Sequence, residues 1–135
     1  MGATPYSYYV AYRPDLQQAL RELRTREFQA GRYYPEPDAA APHASIADAL
    51  IAADADGTCS ILDLDTVADH PGFGVAHRLG DAQLQELFGT ARPTHEMIER
   101  SDDLFEQIER GHGVCIVVFK DDQPAEIYFA GYSFD

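Results

Sequence analysis

The sequence has little of what several common classes of protein require. Two cysteines, Cys59 and Cys115, are too few for a disulfide framework, and they form no CxxC pair. We expect two free thiols in a reducing compartment, although sequence separation alone permits one bridge between them. No apolar run approaches the ~20 residues of a membrane span, and no basic segment with an apolar core opens the chain. A cytoplasmic protein that does not bind membranes is therefore expected.

Signatures of catalysis are also missing. The chain has no GxSxG elbow and no glycine-rich loop with the lysine that a phosphate-binding loop needs. The segment His95–Glu99 is superficially similar to HExxH, but it ends in glutamate and lacks the second imidazole that zinc requires. Cys59 has acidic neighbours, which disfavour a thiolate, and Cys115 lies in an apolar run. The sequence thus offers no catalytic residue and no cofactor site, and an enzyme is not favoured.

Acidic residues are abundant, and they are unevenly distributed. The 135 residues carry 23 acidic and 10 basic side chains, which gives a formal net charge of −13. Residues 1–34 hold five arginines and three acids, whereas residues 35–135 hold five basic residues and twenty acids. Such a surface repels nucleic-acid phosphates and attracts a basic protein partner. Alternatively, the acids only keep the protein soluble.

The apolar pattern predicts one α+β domain over residues 1–135. We expect a small, mostly antiparallel sheet, made of an N-terminal strand, a C-terminal hairpin and a candidate fourth strand. Three to four helices would pack on it, and residues 69–80 would be irregular. The predicted strands are residues 6–12, 58–64, 113–119 and 125–132, and the predicted helices are residues 15–30, 46–53, 81–88 and 95–110.

The last of these helices contains the densest group of acids. At a spacing of one helical turn, its carboxylates would share one face of a continuous helix. Ser101 could instead start a second helix after a kink. Such a face is most often solvated, but it also suits a basic partner or, with ligands from other helices, a metal. The acids are Glu96, Glu99, Asp102, Asp103 and Glu106.

The eight tyrosines lie in the first strand, in a proline-rich loop at residues 32–43, and in the last strand. If the two strands are neighbours, the tyrosines form one patch beside Arg13 and Arg32, and Tyr and Arg often anchor binding surfaces. Alternatively, they line a half-buried sheet face. The loop is also a candidate pocket wall, because loops beside rigid sheets often carry sites. Its candidate groups are Arg32, Tyr33, Tyr34 and His43.

Residues 54–63 invite comparison with a calcium-binding EF-hand loop. If Gly57 occupies the sixth position, four side chains with oxygen atoms fall at ligand positions of that loop. The first ligand position would be Ala52, which has no oxygen in its side chain. A helix that ends at Asp56-Gly57 is the alternative. The candidate ligands are Asp54, Asp56, Ser60 and Asp63.

Together these features favour a small acidic protein-binding module of inhibitor, immunity or regulatory type, with a basic partner. The acids between residues 96 and 106, with Tyr8, Tyr33 and Tyr34, are the expected contact residues. The alternatives are a small-molecule-binding protein or enzyme with a pocket near residues 32–43, and calcium binding at Asp54–Asp63. The partner and the oligomeric state are not determined by the sequence.

Overall fold

The computed structural model describes residues 3–134, in which five strands form one mixed sheet in the order β1-β5-β4-β3-β2. β5 is antiparallel to both of its neighbours, whereas β4, β3 and β2 are mutually parallel. Four strands therefore point in one direction, and β5 points in the other. The strands are β1 (Pro5–Ala11), β2 (Thr66–Ala68), β3 (Val75–Arg78), β4 (Gly113–Lys120) and β5 (Gln123–Tyr132).

Four α-helices in the described residues accompany the sheet, and side-chain caps explain where the first two begin. The Asp15 carboxylate accepts a hydrogen bond from the Gln18 amide, and the Ser45 hydroxyl accepts one from the Asp48 amide. Both helices begin within one residue of the predicted starts at residues 15 and 46. The helices are α1 (Leu16–Gln29), α2 (Ile46–Ala53), α3 (Asp81–Phe88) and α4 (His95–Arg100), with 3-10 turns at Asp54–Asp56, Ile61–Asp63 and Phe105–Gln107.

Side chains alternate along the strands, so successive residues point to opposite faces of the sheet. Apolar residues are buried on each of these faces. On one face, which we call the α1 face, Ile127 and Phe129 of β5 pack with Leu20 of α1. On the opposite face, the α3 face, Tyr128 of β5 packs with Leu84 of α3. Helices thus cover both faces, which agrees with the predicted α+β class. None of the helices in residues 3–134 is long and apolar enough to span a membrane.

The C-terminal hairpin was predicted correctly, and its turn is tighter than expected. Asp121 and Asp122 both have positive φ, at 53° and 61°, as the two central residues of a type I′ turn do. β5 therefore begins at Gln123, two residues earlier than predicted. The predicted pairing of the first and last strands is also confirmed, because β1 pairs with β5 along its whole length.

The predicted sheet was incomplete, and one of its strands was wrong. Residues 58–64 do not form a strand, because the Asp63 carboxylate accepts hydrogen bonds from the backbone and hydroxyl of Thr58 and curls the segment. Residues 69–80, predicted as irregular, contain β3, and β2 lies just before them. These strands have four and three residues, too few to show a clear apolar pattern. The sheet is therefore mixed rather than mostly antiparallel.

The predicted helix 95–110 was also wrong in length. α4 ends at Arg100, and Ser101 is extended, with ψ 121°. Ser101, Asp102 and Asp103 are residue types whose side chains compete with helical hydrogen bonds, and adjacent carboxylates repel one another. The break at Ser101 was the alternative that the sequence left open, although only a 3-10 turn follows it.

Candidate functional site

The acids between residues 96 and 106 form a continuous exposed segment, which we call the acidic segment, but they do not share one helix face. Glu96 and Glu99 lie on α4, Asp102 and Asp103 lie in the bend after it, and Glu106 lies in a 3-10 turn. All five are exposed. Within residues 3–134 none of them forms a salt bridge. These carboxylates are therefore not neutralised by salt bridges within the described residues, and the exposed Arg100 lies among them.

One of these acids also has a structural role. The Tyr9 hydroxyl of β1 donates a 2.8 Å hydrogen bond to Glu99 Oε2, and the Tyr9 ring stacks on His95 at 4.0 Å. Burial raises the pKa of Tyr9, and the bond to Glu99 raises it further. His95 Nδ1 lies 3.1 Å from Glu126 Oε1 of β5. The two residues that suggested part of a zinc motif thus attach α4 to the sheet.

Replacing Tyr9 with phenylalanine tests this attachment. We expect Tyr9→Phe to lower the free energy of unfolding by about 1 kcal/mol, because one hydrogen bond to a charged group is lost while the ring stays. Chemical denaturation measures the change. Tyr34→Phe is the matched control, since the Tyr34 ring is 53% exposed. Equal stability of the two variants would show that the Tyr9–Glu99 bond contributes nothing.

The tyrosines do not form the single patch that was predicted, although their strands are neighbours. Tyr8 lies on the α1 face, where its hydroxyl accepts a hydrogen bond from the Ile61 amide at 3.2 Å. Tyr9 and Tyr128 lie on the α3 face, with ring centroids 4.7 Å apart. Consecutive residues of a strand point to opposite faces, so a tyrosine-rich strand divides its rings between two surfaces.

An ion cluster around the buried Glu27, at the end of α1, involves the exposed Arg32, one of the proposed ligand-binding groups. Glu27 is buried, and its carboxylate accepts two hydrogen bonds from Arg32, at 2.9 and 2.6 Å, and one from Arg26 at 3.2 Å. The hydrogen bond from Arg32 is the main reason why the pKa of Glu27 is lowered. Arg32 therefore fixes the end of α1 and does not line the cavity beside the loop.

The lowered pKa of Glu27 predicts a pH dependence of stability. A carboxylate with a lowered folded-state pKa stabilises the protein above its unfolded-state value of about 4.3, and this contribution is lost as the pH falls through the folded-state value. We expect Glu27→Gln to cost about 2 kcal/mol at neutral pH and progressively less below about pH 4. Urea denaturation across pH measures this, with Glu22→Gln as the exposed control. A cost independent of pH would contradict it.

The proline-rich loop does form a cavity with the end of α1, of about 570 Å³. Tyr33 and His43 line it, and the Tyr33 hydroxyl lies 2.8 Å from His43 Nδ1. The Phe28 ring stacks on Tyr33 with centroids 5.8 Å apart. Tyr34 and Arg32 do not line the cavity. Two of the four predicted groups are thus brought together.

The predicted calcium ligands are not assembled into one site. Asp63 is buried and its Oδ1 is bound to Thr58, whereas Asp54 and Asp56 are exposed. The Ser60 hydroxyl accepts a hydrogen bond from the Leu62 amide. Across residues 3–134, no three His, Cys, Asp or Glu residues are grouped so as to hold a metal ion. Calorimetry with calcium remains the direct test of this hypothesis.

A second cavity, of about 370 Å³, was not predicted from the sequence. It lies where β1, β2, β3 and β4 end, and we call it the strand-end crevice. Its lining includes Tyr12 and Asp69, which follow β1 and β2, the segment Arg78–Asp81 at and after the end of β3, and Val117 and Phe119 of β4. Because β2 and β3 were not predicted, nothing in the sequence indicated that these residues meet.

Comparisons with protein-family models, with curated proteins and with solved structures found no match to this chain.

Proposed function

We propose that this protein is a binding module of inhibitor, immunity or regulatory type, which uses its acidic segment to contact a basic protein partner. The observation that carries the proposal is the row of exposed carboxylates at residues 96–106, none of which has a salt bridge within residues 3–134. Three of the arginines in and around α1, in contrast, form salt bridges: Arg13 binds Glu22, and Arg26 and Arg32 bind Glu27.

A groove with both apolar and charged lining residues adjoins the acidic segment and supplies the second element of the proposed interface. Met97 is 41% exposed, and it lines a groove of about 410 Å³ with Leu87 and Phe88. The rest of its lining is polar, from Arg100, Ser101, Asp102 and Asp103. An apolar centre with a charged rim is the usual organisation of a protein–protein interface, in which the rim charges guide association and the centre contributes affinity.

Charge reversal tests this proposal directly. The reversal Asp102→Lys with Asp103→Lys removes rim charge beside the groove, and neither side chain makes a hydrogen bond within residues 3–134. Reversal of Asp48 and Asp56, which are exposed elsewhere, is the matched control with the same change in net charge. Basic proteins captured from the source organism by the parent chain would be purified, and their affinities measured by calorimetry at two salt concentrations.

We expect the Asp102/Asp103 reversal to weaken partner binding by at least about tenfold, and the Asp48/Asp56 reversal to change it little. Added salt should weaken binding to the parent chain, because exposed charges are screened. Similar loss in both variants would indicate attraction to net charge alone. Unchanged binding in the Asp102/Asp103 variant would exclude the acidic segment as the contact surface.

A second candidate function is small-molecule binding at the proline-rich loop. The observation that favours it is the close contact of Tyr33 and His43 within the cavity of about 570 Å³, a volume typical of ligand sites. A fragment screen by NMR would test it. Ligands of this cavity should shift the resonances of Tyr33 and His43 and should bind more weakly to His43→Ala. A screen in which no fragment shifts these resonances would reject this function.

A further inference from the structure

The strand-end crevice exists because neighbouring strands have unequal lengths. β3 ends at Arg78, which is level with Cys115 in the middle of β4, whereas β4 continues to Lys120. The edge of β4 beyond Cys115 is therefore not covered by β3. The chain returns to this edge only at its end, where the Phe119 amide donates a hydrogen bond to the Pro93 carbonyl at 2.9 Å. The crevice is the gap along this edge of β4 between Cys115 and Phe119.

The chain leaves this end of the sheet in two directions. After β1 it passes to α1 on one face, and after β3 it passes to α3 on the other. In open α/β sheets, ligands bind in crevices outside the carboxyl ends of the strands. The crevice lies at this end of the parallel strands, although β1 and β3 are separated in the sheet by β4 and β5.

The lining of the crevice combines one cation, two carboxylates and an apolar wall. Arg78 supplies the guanidinium, and Asp69 and Asp81 supply the carboxylates. All three are exposed, and within residues 3–134 none of them forms a salt bridge. Leu79, Val117 and Phe119 are among the apolar side chains.

We propose that the strand-end crevice binds a small zwitterion with an apolar side chain, such as a free aliphatic or aromatic α-amino acid. Arg78 would bind the carboxylate of the ligand, because a guanidinium pairs with a carboxylate through two parallel hydrogen bonds. Asp69 and Asp81 would bind its ammonium group, and the apolar wall would accept its side chain. The volume of about 370 Å³ lies near the lower end of the range for ligand pockets, as a small ligand requires.

The same lining argues against two other ligand classes. A phosphorylated ligand would meet two carboxylates and a single arginine, so its multiple negative charges would be repelled. A covalent ligand would need a reactive thiol, but Cys115 is fully buried, and burial raises its pKa to about 12. The thiol is therefore protonated and contributes only to the floor of the crevice.

Titration of the full chain with four probes tests the proposal. L-Leucine and L-phenylalanine carry both charges, whereas phenethylamine lacks the carboxylate and 3-phenylpropionate lacks the ammonium group. Amide resonances of residues 78–81 and 117–119 report on binding at neutral pH. We expect L-leucine or L-phenylalanine to shift these resonances in a saturable manner, and each singly charged analogue to bind at least about tenfold more weakly than L-phenylalanine.

Two variants separate the roles of the charges. Arg78→Gln should weaken binding of the amino acid by about tenfold or more but leave phenethylamine unaffected. The double variant Asp69→Asn/Asp81→Asn should have the reverse effect. It should weaken the binding of phenethylamine and leave the binding of 3-phenylpropionate unchanged. Arg21→Gln, which removes an exposed arginine of α1, is the matched control.

Three results would overturn the proposal. The first is the absence of any shift in residues 78–81 at about 10 mM amino acid. The second is equal affinity for L-phenylalanine and its singly charged analogues, and the third is unchanged affinity in Arg78→Gln. Because none of these residues belongs to the acidic segment, the outcome is independent of the basic-partner proposal.

Discussion

Gly131→Ala is expected to lower the free energy of unfolding by about 3 kcal/mol, because the added methyl group has no space. Gly131 of β5 lies between Tyr6 of β1 and Gly113 of β4. A Cβ at this position would lie 2.6 Å from the Tyr6 hydroxyl and 2.7 Å from the His112 carbonyl oxygen. The carbonyl is backbone and accepts a hydrogen bond from Tyr132, so it cannot move without disturbing the sheet.

Thermal and urea denaturation would measure the effect, with Gly80→Ala as the control. A Cβ on Gly80 would have its nearest neighbour at 3.8 Å, so this variant should lose little stability. Adding Tyr6→Phe to Gly131→Ala should recover only a small part of the loss, because the contact with the hydroxyl disappears while those with Tyr6 Cζ, at 2.8 Å, and with the His112 carbonyl remain. Wild-type stability in Gly131→Ala would contradict the packing described for this pair of strands.

The second large effect is expected from Asp63→Ala, which we predict to cost about 3 kcal/mol. Asp63 is 6% exposed, and its Oδ1 accepts hydrogen bonds from the Thr58 amide at 2.7 Å and the Thr58 hydroxyl at 2.8 Å. Alanine would leave both donors buried without this acceptor. These hydrogen bonds stabilise the segment that connects α2 to β2, so the substitution would destabilise that segment first.

Asp63→Asn separates the contribution of the hydrogen bonds from that of the negative charge, since the asparagine amide oxygen can still accept the hydrogen bonds from Thr58. We expect it to retain more stability than Asp63→Ala in the same urea experiment. The paired measurement also bears on the calcium hypothesis. If calcium stabilised the parent chain but not Asp63→Asn, Asp63 would be a metal ligand and not only a structural acceptor. Equal losses in the two variants would contradict the role assigned to the Thr58 contacts.

Features set by neighbouring residues were predictable from the sequence, whereas features set by distant residues were not. The starts of α1 and α2, at the caps Asp15 and Ser45, and the hairpin around Asp121–Asp122 depend on side chains within a few residues, and both helices and the hairpin were predicted. β2 and β3 were missed because strands of three and four residues derive their stability from the sheet. Residues 58–64 were predicted as a strand because they include the apolar Ile61 and Leu62. The sequence pattern gave no indication of the hydrogen bonds between Thr58 and Asp63.

The same distinction applies to the candidate sites. Exposure of the acids at residues 96–106 could be predicted from composition, but their arrangement depended on the helix break at Ser101. The hydrogen bond between Tyr9 and Glu99 joins residues 90 positions apart, so no local sequence pattern predicts it. The strand-end crevice combines residues that follow three different strands with residues of β4. Sites of this kind follow from topology, and the topology was only partly predicted.

The pairing of β1 with β5 has a consequence for the order of folding. Pro5 lies opposite Tyr132, so the first strand can take its place only after the last strand has been synthesised. Closing a loop of more than a hundred residues is entropically unfavourable and tends to slow folding. During synthesis, the tyrosine-rich segment of residues 6–12 therefore remains unpaired until β5 has been made. A chaperone that shields this segment would be expected to raise the yield of native protein.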